Sequence, residues 1–581
     1  MSRSRIRNLH GRAGVRQLRL LAAVGAGVCL LAAGTAAWPP SAAQASSLAF
    51  TVNTTADAHA AHPGEGICAD AAGQCTLRAA LEVAAASPSG STVRITVPAG
   101  TYDLTLGSLT LGSGAVPVKV TVDGAGAAST VVAATRGFRV MAVTPHTTGL
   151  VEDLEITGGK AGSNFYGGGI FSRGVLTLSH DTLTGNTAGA GGGVANSGGT
   201  LTVTGSTIEK NQGRYFGGGG IQNGGPLNLP GTVVVRSSTI TGNVTSGEGG
   251  GIFSGQNGHP AESGQPAVAP RRLCSPARCA APRFAAAAGL VLHVINSTVS
   301  GNFGGNGGGG IATAQGTATL AGSLVTSNSA GGAIGGGVFN VGTVTGSTIS
   351  DNTATTGGGV EDYPGLFMTI KDSTLDGNRG KFYGGALEVS QQVTVLQSTI
   401  VGNKAGDSFA PMGAAAEIQG AATLIISDST VAGNITQPAG RGAIDNFGGT
   451  LILSFATLSG GRQGLLTGGG FESATGTILA GNGTTPNCSI ALRETVGYNL
   501  STDSSCGLSK TTDLTGANPM LKPLANNGGP TMTKALPRSS PAVNAAGLPA
   551  GSSCPATDQR GQSRPFGPAC DIGAFELHYK K

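Results

Sequence analysis

The chain has 581 residues, of which 101 are glycine, with only 4% aromatic and 11% charged residues. That is too little aromatic bulk for several conventional cores and too apolar, at 39% hydrophobic, for a disordered polyelectrolyte; glycine falls in no Gly-X-Y period, which excludes collagen. The net charge of +5 comes from six arginines, Arg3, Arg5, Arg7, Arg12, Arg16 and Arg19, in a first 45 residues that lack any acid; without them it is 5 − 6 = −1, which removes the electrostatic basis for a nucleic-acid partner.

Those 45 residues run from an Arg-rich start through apolar Leu20–Ala37 to Ala43-Gln44-Ala45. This order predicts a secretory signal peptide over 1–45, preferred to an N-terminal membrane anchor, with no later span and therefore a secreted or cell-surface protein. Eight cysteines follow as close pairs: Cys68 and Cys75, Cys274 and Cys279, Cys488 and Cys506, Cys554 and Cys570. An even number in an exported chain predicts disulfides, and nearest-neighbour pairing is the expectation among about 105 connectivities.

Residues 46–90 are expected to form an N-terminal cap, because an open solenoid must cover its terminal strand edge. Leu77, Leu81 and Ala84 lie at helical spacing and predict a short amphipathic helix. The stretch Phe50-Thr-Val-Asn-Thr-Thr-Ala-Asp57, Gly66-Ile-Cys68 and Cys75-Thr-Leu-Arg78 resembles the CSLREA-type motif of bacterial surface and secreted proteins. Ala79 stands where that motif has glutamate, so Arg78 lacks its adjacent acid.

Two blocks then repeat through residues 91–485. Ser-Thr-(Ile/Leu/Val)-x-x-Asn occurs at Ser206–Asn211, Ser238–Asn243, Ser297–Asn302, Ser347–Asn352, Ser373–Asn378, Ser398–Asn403 and Ser429–Asn434. Three glycines precede Ile170, Val194, Ile221, Ile252, Ile311, Val338, Val360 and Phe471, with degenerate copies ending at Leu387 and Ile444. Alternation within each unit, as in Leu201–Ile208, predicts short strands, and Gly and Asn mark corners of positive φ. Units of this size predict a coil of parallel strands with an aliphatic core, the corner Asn residues bonding from coil to coil. The glycine content excludes a helical solenoid, and the lack of Asp in the glycine runs disfavours a calcium-binding β-roll.

The pattern, with Val93–Tyr102 and Lys119–Gly126 as its opening coils, resembles the right-handed parallel β-helix of the pectin-lyase-like superfamily, about 13 to 15 coils long. The resemblance implies an all-β, single β-helix and is nearly silent on activity. An Ala- and Pro-rich insertion at 255–290, carrying Cys274 and Cys279, interrupts it as a surface loop stapled by that pair. Residues 486–581 resemble the choice-of-anchor Q domain through Asn527-Gly-Gly-Pro-Thr531, Ser540–Asn544, Thr557-Asp-Gln-Arg-Gly561, Arg564-Pro565 and Asp571–Glu576, and are expected to form the C-terminal cap. Asp558, Arg560, Arg564 and Asp571 are read there as structural ion-pairing residues.

No G-x-S-x-G elbow, H-E-x-x-H or P-loop occurs, so no catalytic residues can be named. The balance favours a monomeric, non-catalytic β-helix scaffold that binds polysaccharide or cell-envelope glycan. The alternative is a polysaccharide lyase or glycoside hydrolase acting from an acidic face; an autotransporter passenger is disfavoured for want of a C-terminal barrel. That acidic face is sought in one register position after the corners, Glu361, Glu388, Glu417, Asp445 and Glu472. These carboxylates are expected to point outward, stack at roughly 4.8 Å and raise one another's pKa, either as a solvated charged face or as a stripe that holds a cation, for which oxygen ligands suit calcium, or contacts a substrate.

Overall fold

The structure is a computed structural model that describes residues 44–579, except 228, 257–288, 333, 364, 407–411, 438–441, 462–463, 482–484 and 548–553. The expected signal peptide, apart from its last two residues, and nearly all of the insertion lie outside the described residues.

Short alternating segments build four parallel sheets, here numbered in the order a coil visits them. The first and second have sixteen strands each, the third nine and the fourth thirteen. Strands of the first sheet alternate in burial, as in Thr200–Thr204, so Leu201 and Val203 point inward and the threonines outward. Each strand pairs in parallel with its equivalent one coil on, Leu201 with Val233 for example. Between the first sheet's opening strand, Ser47–Thr51, and its last, Glu494–Gly497, lie fourteen further strands and thus fourteen coils. At roughly 4.8 Å per coil the solenoid is about 65 Å long. Inward Ile, Leu and Val from successive coils form one continuous core, from Val52 and Leu77 to Cys488 and Cys506.

Two corners hold the coils in register. From Thr147–Glu152 onward the backbone turns through positive φ after the first-sheet strand, at glycine or at non-glycine residues such as Ser237 (46°), Gln397 (48°) and Asp428 (44°). The next residue is the repeat serine, whose Oγ accepts the amide of the preceding coil's equivalent, as in Ser347 N–H to Ser373 Oγ at 3.1 Å. After the second-sheet strand comes the repeat asparagine. Nine of them, from Asn186 to Asn434, stack with Nδ2 donating to the next Oδ1 at 2.9–3.1 Å. These buried amides are satisfied by one another and by backbone carbonyls of the preceding coil, some also by a carbonyl two residues back, which fixes the stacking.

The N-terminal end is closed by strand Ser47–Thr51, which pairs with Thr92–Thr96, and by helix α1, Leu77–Ala86. Thr76 caps α1 by accepting the Ala79 amide at 3.0 Å, and Leu77, Ala80, Leu81 and Ala84 join the core. Arg78 does have an acid after all: Asp57, 21 positions upstream in the sequence, meets its Nε at 2.6 Å, with both side chains buried.

The C-terminal region departs from the expected arrangement. The first and second sheets continue past residue 485 to Glu494–Gly497 and Leu500–Ser501, with Leu514–Thr515 beyond. Residues from about 519 to 577 then fold back along the outer face of the second sheet. Gln559 sits at the centre, donating to Thr399 Oγ1 at 3.0 Å and Thr531 Oγ1 at 2.9 Å and accepting from Thr430 Oγ1 at 2.6 Å. A second apolar cluster, including Phe455, Ile478, Leu500, Leu536, Ile572 and Phe575, fills this flank. Asp558 pairs with Arg560 at 2.7 Å, and Arg564 lies 3.5 Å from both Asp428 and Glu576.

Disulfides join Cys68 to Cys75, Cys488 to Cys506 and Cys554 to Cys570. They are three of the four expected bridges. The fourth expected pair, Cys274 and Cys279, falls within 257–288 and so lies outside the described residues. Among the described residues no helix is long and apolar enough to cross a membrane.

Candidate functional site: a buried acidic row

The acidic residues lie on the fourth sheet. Glu361 pairs with Glu388, Glu388 with Glu417 and Glu417 with Asp445, on four consecutive coils. The same row holds Phe253, Ala312 and Phe339 in the preceding coils. Two expectations fail here. Glu472 is not in the row: Thr467 stands opposite Asp445, and Glu472 belongs to the first sheet beside Leu451. The glycine triplet before Phe471 leads into the first sheet, not into the fourth, so the repeated Gly-Gly-Gly pattern marks a different corner there. Glu472 is instead 8% exposed, beside Asn446, whose Nδ2 donates to it at 2.8 Å.

Nor do the carboxylates face solvent. Glu361, Glu388, Glu417 and Asp445 are 6%, 2%, 3% and 0% exposed. The reason is the corner before each strand. At Gly384 the backbone has φ 54°, and a Cβ there would lie 2.4 Å from the Leu387 carbonyl oxygen and 2.8 Å from Glu388 Oε2. The missing side chain lets the chain fold tightly over, so the third sheet's last residues cover the fourth sheet's outward row. Thr356 and Tyr383 belong to this covering wall and are paired with each other.

Inside it the acids find protein donors. Thr356 Oγ1 donates to Glu361 at 2.9 Å, Gln419 Nε2 donates to Glu388 Oε1, and Thr467 Oγ1 donates to Asp445 at 2.8 Å. Asp362, one residue beyond the row, accepts the Ser390 and Gln391 amides at 2.5 and 3.0 Å and so anchors the next coil's turn. Glu388 Oε2 has no hydrogen-bond partner among the described residues.

Burial pushes the Glu361 carboxyl up to about 8, with the Asp362 charge adding and the Thr356 hydrogen bond opposing. Burial likewise holds Glu388 well above the usual carboxylate range, helped by Glu417, Glu361 and Asp362 and opposed by Gln419. Burial, then Glu417 and Glu388, raise the Tyr383 hydroxyl. At Glu361 and Glu388 the low-dielectric slot therefore favours the protonated carboxyl. Among the described residues no three acidic, histidine or cysteine side chains are grouped so that they could hold a metal ion. Tyr383, Thr356 and Gln419 escaped the sequence reading. The one sequence mark is carried by Thr356 and Tyr383, which stand just before the corner glycines, ahead of Gly357 and Gly384; Thr356 meets Glu361, the second residue after its glycines.

The four parallel sheets and their coil path define the class: a right-handed parallel β-helix, with the C-terminal segment laid along one flank. Residues 285–457 match the family model described as the right handed beta helix region, less than a third of the chain. Among solved structures the chain is similar to pectate lyase Pel9A at 12% identity, over 92% of this chain and 97% of that one, with a TM-score of 0.26. No curated protein matches the chain.

Proposed function

We propose that this is a secreted or cell-surface β-helix scaffold protein, non-catalytic and monomeric, that binds a polysaccharide or cell-envelope glycan. The observation that carries the reading is the burial of the acidic row. A lyase or glycosidase acting from that face needs carboxylates in contact with a substrate, whereas these are at most 6% exposed, and Glu361, Glu388 and Asp445 are hydrogen-bonded to side chains of the protein. Three disulfides and a solenoid pinned by buried asparagine and serine suit an exported, durable support. The CSLREA-like cap, the choice-of-anchor Q-like flank and the N-terminal leader pattern fit the same reading.

The test is incubation with acidic and neutral polysaccharides, with and without calcium, followed by reducing-end assay and by ultraviolet absorbance of unsaturated products. No product with any of them is expected. Release of either product type, abolished by Glu388→Gln, would replace the scaffold with the lyase or hydrolase alternative.

A further inference from the structure

The third sheet presents an outward row that runs parallel to the solenoid axis. In register it reads Lys160, Thr187, Gln212, Val244, Phe303, Ser329, Thr353, Arg379 and Lys404. Two positions further along their strands stand Arg214 and Lys381, both exposed. The row carries Lys160 at one end and Arg379 and Lys404 towards the other, where Ile435 follows; between them the apolar Val244 and Phe303 stand among Thr, Gln and Ser, and no acid occupies it. At roughly 4.8 Å per coil the eight steps from Lys160 to Lys404 span about 38 Å. With these five cations included, the chain beyond residue 45 has a net charge of only −1, so the row is a local concentration of positive charge.

Aromatic rings lie along the same face. Phe165 and Tyr215 are 56% and 57% exposed and Phe303 39%. The Phe303 ring reaches across to the next coil: a Cβ on Gly331 would come within 2.4 Å of its Cζ. Tyr215, Val244, Ser246 and Phe303 border one shallow groove with Gln212 and Arg214. Lys381 Nζ lies 5.6 Å from the Phe382 ring centroid, keeping charge and ring together at the other end. The pattern recurs in the sequence as a cation followed by an aromatic pair and then glycine: Arg214-Tyr215-Phe216-Gly217 and Lys381-Phe382-Tyr383-Gly384, with Lys160 and Phe165-Tyr166-Gly167 as a looser copy.

We infer that this face is the binding site of a linear polyanionic glycan, laid along the solenoid axis, its sugar rings stacking on Tyr215 and Phe303 and its carboxylates or phosphates pairing with Lys160, Arg214, Lys381 and Lys404. The inference rests on the glycan-binding reading above and adds the face and the charge of the ligand. The chemistry follows from the residues: flat π-faces attract the polarised C–H groups of a sugar ring, and a row of cations without acids favours a repeating anion over a neutral chain. An open, straight groove fits an extended polymer and not a compact ligand.

The experiment is affinity electrophoresis and calorimetry of the whole chain with four probes: alginate and hyaluronate as carboxylate polymers, poly(glycerol phosphate) as the phosphate polymer, and dextran as the neutral control. Binding to at least one polyanion and not to dextran is expected, and the carboxylate and phosphate arms identify which anion is used. Binding should weaken steeply as salt rises from about 0.05 to 0.5 M, since exposed charges are screened over roughly 10 Å or less at 0.1 M and above. Lys160→Ala, Arg214→Ala, Lys381→Ala and Lys404→Ala combined should cost about tenfold or more, exposed pairs being worth at most a few-fold each. Tyr215→Ala should weaken binding at high salt as well. These side chains are at the surface, so melting curves should match the parent; if the combined variant does not fold, Arg214→Glu alone replaces it. Polyanion binding that ignores both Arg214→Glu and Tyr215→Ala would overturn the assignment to this face and leave the glycan-binding reading standing. Equal binding to dextran would overturn the polyanion. Failure to bind any glycan would overturn the parent reading together with this one.

Discussion

Asn352 illustrates how a single side chain serves three coils. Its Nδ2 donates to Asn378 Oδ1 at 3.0 Å and to the Val325 carbonyl at 3.0 Å, while its Oδ1 accepts the amide and Nδ2 of Asn328 at 2.9 and 3.0 Å. Asn352→Ala takes the acceptor from the Asn328 amide and Nδ2 and a donor from the Val325 carbonyl and Asn378 Oδ1, the last keeping only the residue 352 amide, and is expected to cost about 2–4 kcal/mol in urea unfolding. A cost below about 0.5 kcal/mol would mean that water replaces the ladder at no penalty. The acidic row behaves in the opposite sense. Glu361 has a folded pKa near 8 against an ordinary 4.5, so the folded state keeps a proton that the unfolded chain releases. The protonated group's contribution is full below about pH 4.5 and is lost as pH rises through about 8. Glu361→Gln is therefore expected to leave stability at pH 4.5 nearly unchanged and to raise it at pH 8 by about 2–4 kcal/mol, flattening the profile between. Thermal melts across that range check it; a parallel offset at all pH values would remove the proton from the explanation.

At the scale of the element, α1 is fastened by Arg78, which meets Asp57 and also donates to the Gly107 and Ser108 carbonyls at 2.6 and 3.2 Å. Asp57 in turn accepts the Thr105 and Leu106 amides at 2.6 and 2.8 Å. Asp57→Asn leaves a buried guanidinium unpaired and should destabilise the cap by about 3–5 kcal/mol. Because a solenoid is held by neighbour contacts, the loss should stay local. Hydrogen exchange should quicken in Leu77–Ala86 and the first coil and be unchanged around Asn352; uniform quickening would show that the cap and the coils melt as one. The element-level error in the acidic row has the same root. Gly468–Gly470 looks like the other glycine triplets, yet the third sheet has already ended at Ile435–Thr436, so the triplet is taken up by another turn.

At the scale of the molecule, the C-terminal segment is a brace across several coils, since it bonds to Gln397, Thr399, Thr430, Thr457 and Gly476. Gln559→Ala removes the buried amide at its centre and should cost about 2–3 kcal/mol. Opening the Cys554–Cys570 bridge, 16 residues apart, with Cys554→Ser and Cys570→Ser should cost about 3 kcal/mol. In both cases limited proteolysis should cut between residues 519 and 577 before any cut in the coils, and simultaneous loss of both would refute the brace. The brace also explains the second sheet's outer face, where Thr374 and Asp376 are partly exposed but Thr430, Ala432, Ile478 and Ala480 are buried.

The sequence by itself determined the solenoid, its register and its pinning. Alternating Leu-Thr-Val-Thr segments, the Ser-Thr-Ile-x-x-Asn block and the glycine corners are local signals with local causes: strand pleat, side-chain hydrogen bonding and positive φ. It also held the three observed disulfide pairs, each close in the chain. What only the tertiary structure decided are relations between residues far apart or across a corner. Asp57 finds Arg78, Gln559 finds Thr399, and Glu388 is roofed by the wall that Tyr383 belongs to. Whether an outward residue meets water depends on what folds over it, and no periodicity within one strand encodes that.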